Sequence, residues 1–230
     1  SRGVGYLDPD KFLKIPIKDF KEVAFHGWGE PFLHPDLFKM VKIVSRFGVK
    51  TSLITNGTLL TKRMDEVFES NLSSIAFGIY TLKGRERIVR NIKEFMKEKR
   101  RRDPGIETWI DITILSSNID EIPKIVALAG ELGIDGVILH KLFTLHNPSL
   151  KQPSTSDIEE VCREAKNVGK GYGVKVYCPP KKTRPCRVAL LTIFISWDYV
   201  VSPCCFLHEM GVTYGSILDN DLKYVLEKHR

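Results

Sequence analysis

The sequence lacks any apolar run long enough to span a bilayer. Its longest, Ile75 to Tyr80 and Val188 to Ile195, fall far short of the ~20 residues a membrane helix needs. No charged-then-apolar leader opens the chain, so the expectation is a soluble, cytoplasmic protein without a membrane partner. Low-complexity tracts are absent, and so is any internal repeat beyond an alternation of apolar runs and helix-period segments. Cysteine does not occur before Cys162. The five cysteines, Cys162, Cys178, Cys186, Cys204 and Cys205, crowd into the last third. An odd count with no secretory leader argues against a disulfide framework and makes metal ligation the use to test.

With 230 residues the chain can bury the core of one large α/β domain, with room for a small appendage. Its formal charge of +7 would suit a nucleic acid or an anionic cofactor. The densest basic run, Lys97 to Arg102, ends a predicted amphipathic helix, where the helix dipole favours cations and a solvated face is the ordinary explanation. No nucleic-acid recognition motif accompanies it, so a basic RNA-binding or RNA-modifying protein is carried only as an alternative.

Between about residues 20 and 145 the pattern is that of repeated βα units around a parallel sheet. Strands are expected at Val23 to His26, Lys50 to Thr55, Ser74 to Tyr80, Trp109 to Leu115 and Val137 to His140. The helix after Pro35 is expected to bury Leu37, Val41, Val44 and Phe47, and another follows from about Thr61 to Ser70. A third carries Ile88, Ile92 and Phe95 on one face. Asn118 is placed as the N-cap of a helix burying Ile122, Ile125, Ala129 and Leu132 and ending near Gly133. A further helix is expected from about Asp157 to Val168. The period then changes. Alternation at Leu191, Ile193 and Ile195, a turn near Trp197-Asp198, and Val200-Val201 indicate a β-hairpin, and a last helix begins near Leu222.

Gly27-Trp28-Gly29-Glu30-Pro31 ends the first strand. Glycines at the C-terminal edge of a parallel sheet let backbone approach a ligand; Glu30 could receive an ammonium group, and Pro31 fixes the chain direction. Taken alone it could equally be a tight βα turn with a surface glutamate. One unit later, Thr55-Asn56-Gly57 closes the next strand. Together the two edges resemble the radical S-adenosylmethionine superfamily, whose strands end in Gly-Gly-Glu-Pro-like and Thr-Asn-Gly motifs. The resemblance implies that Gly27, Trp28, Gly29, Glu30, Pro31, Thr55 and Asn56 bind S-adenosylmethionine, with Gly29 and Glu30 at its amino group and Trp28 replacing a glycine. His34-Pro35 and the following helix also look like this family. His140, at the end of its strand, is a further cofactor-binding candidate; His26 reads better as a hydrogen-bonded core histidine. Asn118 and Glu121 read as residues at a helix start rather than catalytic ones.

The cysteines give a second likeness. Cys186, twelve residues, Tyr199, four residues and Pro203-Cys204-Cys205 resemble the auxiliary-cluster modules called SPASM and twitch, with Tyr199 where the motif prefers glycine. Tyr214-Gly215-Ser216-Ile217 and the final helix are similar as well. Thiolates on a hairpin are sensible iron–sulfur ligands, so Cys186, Cys204 and Cys205 are candidate metal ligands; Cys178 reads as a fourth or, equally, as a buried free thiol, and Cys162 reads as core.

The resemblance implies a partial (β/α)6 TIM-like barrel over residues 1–150, a linking helix and strand over 151–177, and a β-hairpin plus helix module over 178–230. It implies an enzyme that uses a [4Fe-4S] cluster and S-adenosylmethionine to make a 5′-deoxyadenosyl radical. An auxiliary iron–sulfur cluster and an electron donor such as ferredoxin or flavodoxin would accompany it. The substrate would be a peptide or protein, or a cofactor precursor. The wording of His26 to Pro31 is similar to that of archaeal proteins associated with tungsten–pterin cofactor maturation. The family's Cys-x3-Cys-x2-Cys is absent. The expectation is that the first strand and cluster loop, a longer loop around Tyr80 to Lys83, and downstream cysteines are missing from the chain; the alternative is a degenerate, non-catalytic binding scaffold.

Overall fold

The structure, a computed structural model, describes residues 5–102, 104–142, 151–180 and 191–229. Six strands form one parallel sheet in chain order: β1 (Glu22–Ala24), β2 (Lys50–Thr55), β3 (Ser74–Gly78), β4 (Glu107–Ile114), β5 (Gly136–Lys141) and β6 (Lys175–Tyr177). Right-handed crossovers between sequential parallel strands put every connecting helix on the same side, which curls the sheet into a partial barrel. The helices are α1 (Pro9–Phe12), α2 (Leu37–Arg46), α3 (Met64–Glu69), α4 (Glu86–Arg102), α5 (Ile122–Leu132) and α6 (Thr155–Tyr172). Residues 151–177, expected as a linking helix and strand, supply α6 and β6, and β6 pairs with β5.

Strand alternation decides where the core and the open face lie. On β2, Thr51, Leu53 and Thr55 are buried while Ser52 and Ile54 are only half-buried; on β4, Thr108, Ile110, Ile112 and Ile114 are buried while Trp109 and Thr113 are half-buried. Period two sends the first set toward the helices and the second to the concave face. Ile75, Phe77, Ile110, Val137 and Leu139 thus meet Ile92, Phe95, Ile125 and Ala129 from α4 and α5 in the main core. Each large side chain buried there contributes about 1.5–3 kcal/mol. Gly133 closes α5 in the left-handed conformation, φ 75°. Ser154 and Asp157 form a reciprocal capping box at the start of α6.

Two expected positions differ. Phe47 lies in the period of α2, but the helix ends at Arg46; Phe47 is its C-cap, where the chain turns away, and is 55% exposed. Asn118 is buried, yet its side chain makes no capping bond: it accepts from Leu115 N (2.8 Å) and donates to the carbonyls of Tyr80 and Thr113 (2.9 Å each).

The C-terminal hairpin pairs β7 (Phe194–Ile195) with β8 (Val201–Ser202), followed by α7 (Cys205–Glu209) and α8 (Leu222–His229). It packs on the N-terminal segment and α2 in a second core of Phe12, Ile15, Ile17, Met40, Val44, Tyr199, Val201 and Ile217. The turn runs through Tyr199 at φ 64°, a left-handed conformation that costs a non-glycine residue about 1–2 kcal/mol. Burial of the ring and donation of its hydroxyl to the Asp8 carbonyl offset that cost. Burial also pushes the Tyr199 phenol up to about 12.

Candidate functional site

The ends of β1 and β2 are tied together by one carboxylate. Glu30 caps the 3₁₀ turn Pro31–Leu33 by accepting from Phe32 N at Oε1 (3.0 Å). The same oxygen accepts from the buried Thr55 hydroxyl (2.7 Å), and Oε2 accepts from Asn56 N (2.7 Å). A carboxylate offers about four acceptor positions, so roughly one, on Oε2, is left for a ligand donor. Thr55 Oγ1 in turn accepts from Gly57 N (3.2 Å), and Asn56 Oδ1 accepts from the amide and hydroxyl of Thr58 (2.9 and 2.6 Å). The two edge motifs are therefore one hydrogen-bonded unit at the C-terminal rim of the sheet.

Gly29 has φ 90° and no atom within 4 Å of where a Cβ would stand, so its backbone faces open space. Gly27 is needed for a different reason: a Cβ there would lie 2.7 Å from the Phe194 ring of β7. Trp28 points toward the cysteine module. Its indole Nε1 donates to the Cys205 carbonyl (3.1 Å) and its ring meets Phe206 edge-on at 6.0 Å between centroids.

Arg63 fixes the chain beyond Pro31. It donates to the carbonyls of Phe32 (3.0 Å), His34 (2.6 Å) and Pro35 (3.0 Å), pairs with Glu66 (2.7 Å), and lies over the Phe38 ring. That hydrogen bond from Arg63 holds the Glu66 carboxyl below its ordinary range. His34 bridges Leu7 O (2.8 Å) and Asp36 N (3.1 Å). A lone arginine in a predicted helix gives no sequence signal of this role. Glu121 pins the loop after β3, accepting from Leu82 N (2.7 Å) and the Thr81 hydroxyl (2.8 Å), and the Leu82 bond leads the causes that lower its pKa.

His140 sits on the concave face and its Nε2 lies 2.8 Å from Asp111 Oδ2 of β4. Sequence reasoning passed over Asp111, although an acid amid the apolar alternation of Trp109 to Ile114 is a usable signal. The hydrogen bond to Asp111 raises the His140 pKa above its ordinary value, against the opposing effect of burial. His26 reaches the same face. It is an exposed residue rather than the core histidine expected, yet the surrounding protein lowers its pKa by desolvation, against the pull of Asp111 and Glu22.

The cysteines separate. Cys186 lies outside the described residues. Cys204 is the N-cap of α7 and Cys205 its first residue, both half-buried. Cys178 packs against α6 instead: its thiol donates to the Cys162 carbonyl (3.8 Å), beside a cavity of about 560 Å³ that Lys141 and Lys166 also line. Hydrogen bonding with the Cys162 thiol draws the Cys178 pKa down to about 7, and the same contact pushes Cys162 up. Cys162 itself is buried in the main core, as expected. Among the described residues no group of three or more His, Cys, Asp or Glu side chains is arranged to hold a metal ion. Among the same residues no helix is long and apolar enough to cross a membrane.

No family profile matches the chain. It is 26% identical over 235 residues to the tungsten-containing aldehyde ferredoxin oxidoreductase cofactor-modifying protein of Pyrococcus furiosus, a match covering 89% of this chain and 64% of that protein. It is 30% identical over 181 residues to the PqqA peptide cyclase of Gluconobacter oxydans, covering 72% of this chain and 50% of the cyclase. The chain thus spans between half and two thirds of these relatives. Among solved structures, Streptococcus suis SuiB bound to its precursor peptide SuiA superposes with a TM-score of 0.77 at 14% identity, over 98% of this chain and 59% of SuiB. SuiB bound to S-adenosylmethionine gives 0.76 at 16% identity, over 96% of this chain and again 59% of SuiB. These likenesses establish the fold.

Proposed function

We propose that this chain is part of a radical S-adenosylmethionine enzyme acting on a peptide or on a cofactor precursor. The observation that carries the reading is the Glu30 unit: a carboxylate bound to Thr55 and Asn56, with Gly29 left-handed and open beside it, at the sheet rim where α/β folds bind ligands. The relatives' names support the same class of substrate, one modifying a cofactor and one cyclising a peptide.

The residues present fit the methionine end of the cofactor. Gly29 lets backbone approach, Glu30 keeps about one acceptor position free for an ammonium group, and Arg63 holds the following carbonyls in place. A reduced [4Fe-4S] cluster bound beside the cofactor would supply the one-electron reduction that such hydrogen-abstraction chemistry requires. This sequence has no cysteine before Cys162, which lies on α6, so its own residues do not furnish that cluster's ligands. Cys186, Cys204 and Cys205, with Cys178, are the proposed ligands of an auxiliary cluster, and a ferredoxin or flavodoxin the proposed electron donor. The Trp28 bond to Cys205 O would link the cofactor loop to that module.

The test is anaerobic reconstitution of the full-length protein with iron and sulfide, followed by assay of 5′-deoxyadenosine under reductant. Formation of 5′-deoxyadenosine is expected. A protein with its clusters loaded that leaves S-adenosylmethionine intact would refute the reading.

A further inference from the structure

We propose that His140, oriented by Asp111, is the proton acceptor for an X–H group (X being O, N or S) of a substrate bound against the concave face of the sheet. The proposal rests on the function proposed above and assigns a chemical role within it.

Geometry sets which nitrogen does the work. An ionised carboxylate can only accept, so the imidazole nitrogen facing Asp111, Nε2, carries the proton when the ring is neutral. Nδ1 is then the lone-pair nitrogen, and among the described residues it has no partner. The two side chains are also unequally placed: Asp111 is 11% exposed and held between β3 and β5, whereas His140 is 52% exposed toward the open face. That is the arrangement of an anchored carboxylate presenting a reactive base.

The surrounding face suits an organic substrate. Trp109 of β4 and Tyr177 of β6 lie 5.7 Å apart between ring centroids, and Ile54 and Ile138 are half-buried on the same side. The titratable groups that share this cluster are Asp111 from β4, paired with His140, His26 just after β1, which feels both Asp111 and His140, and Tyr80 after β3, whose hydroxyl is pushed up by burial and then by Asp111. Burial lowers the His26 pKa, against Asp111 and Glu22, and raises that of Tyr80, whereas the Asp111 hydrogen bond raises that of His140. In the step, the X–H bond breaks, its electron pair stays on X, and the proton moves to Nδ1. The imidazolium so formed is stabilised by Asp111.

The experiment uses the full-length, cluster-loaded protein as wild type, His140→Asn and Asp111→Asn. Histidine C2-hydrogen exchange read by mass spectrometry gives the pKa of each ring, and product and 5′-deoxyadenosine are quantified separately. In wild type His140 is expected to titrate above the ordinary value of about 6.5, and in Asp111→Asn to fall toward or below it. His140→Asn is expected to keep forming 5′-deoxyadenosine while losing product by about 10²-fold or more. Product within about threefold of wild type in His140→Asn overturns the proposal. So does an unmoved His140 titration in Asp111→Asn. Parallel loss of 5′-deoxyadenosine and product overturns it as well, by assigning the ring to cofactor binding. Wild type that forms no 5′-deoxyadenosine sinks the enzymatic reading itself, and this proposal with it.

Discussion

Replacing Glu30 by alanine tests whether that carboxylate ties the ends of β1 and β2 together. The change removes the acceptor for Phe32 N, the Thr55 hydroxyl and Asn56 N. Hydrogen bonds to a charged group contribute about 1.5–3 kcal/mol each, but the three share one residue and the Asn56 bond is exposed, so water would replace part of it. The Thr55 hydroxyl is buried and would keep only its weak contact with Gly57 N. The expected loss is about 3 kcal/mol for Glu30→Ala, and about half of that for Glu30→Gln, which keeps one acceptor oxygen. Urea unfolding should register this as a midpoint lower by about 1 M for alanine, at an m-value of about 2–3 kcal/mol per molar. Hydrogen exchange should show faster exchange at the amides of Phe32 and Asn56 and little change on β4 or β5. A stability within about 0.5 kcal/mol of wild type, with both amides as protected as before, would refute the structural tie.

Arg63→Ala should cost about 2–3 kcal/mol by leaving the carbonyls of Phe32, His34 and Pro35 without their donor, and Arg63→Lys should recover little because an ammonium lacks the planar fork; unfolding curves check both. Tyr199→Phe should lose about 1 kcal/mol with the bond to Asp8 O. Tyr199→Gly relieves about 1–2 kcal/mol of backbone strain but gives up about 3–5 kcal/mol of ring burial, so calorimetry should find it destabilised by about 2 kcal/mol. The stability of the Asp111 and His140 pair should depend on pH. Because the folded His140 pKa is raised, its contribution is full below the unfolded value of about 6.5 and is lost as pH rises through the folded value. Asp111→Asn should therefore cost more stability near about pH 5.5 than near about pH 8.5, and a cost independent of pH would contradict the pairing.

Much of this was legible in the residues. The helices burying Ile88, Ile92 and Phe95 and Ile122, Ile125 and Ala129 stand where their period puts them, because an apolar stripe has to be covered. Phe47 misled, since periodicity says which face a residue shares but not where the helix ends. Cys178 shows a similar limit. The residues alone offer it as a fourth metal ligand or as a buried free thiol, and only packing shows its sulfur set against the Cys162 carbonyl. Asp111 was visible as a residue type but its partner lies on the next strand, and Arg63 became legible only once its three carbonyl partners were known.

By itself the sequence determined the βα alternation, the rim motifs at Gly27 to Pro31 and Thr55 to Gly57, and the hairpin, because each rests on local period and turn chemistry. The tertiary structure decided which donors occupy Glu30, which nitrogen of His140 faces Asp111, and that Trp28 meets Cys205. Those contacts join residues many positions apart, and their geometry follows from sheet register and packing rather than from any neighbouring residue.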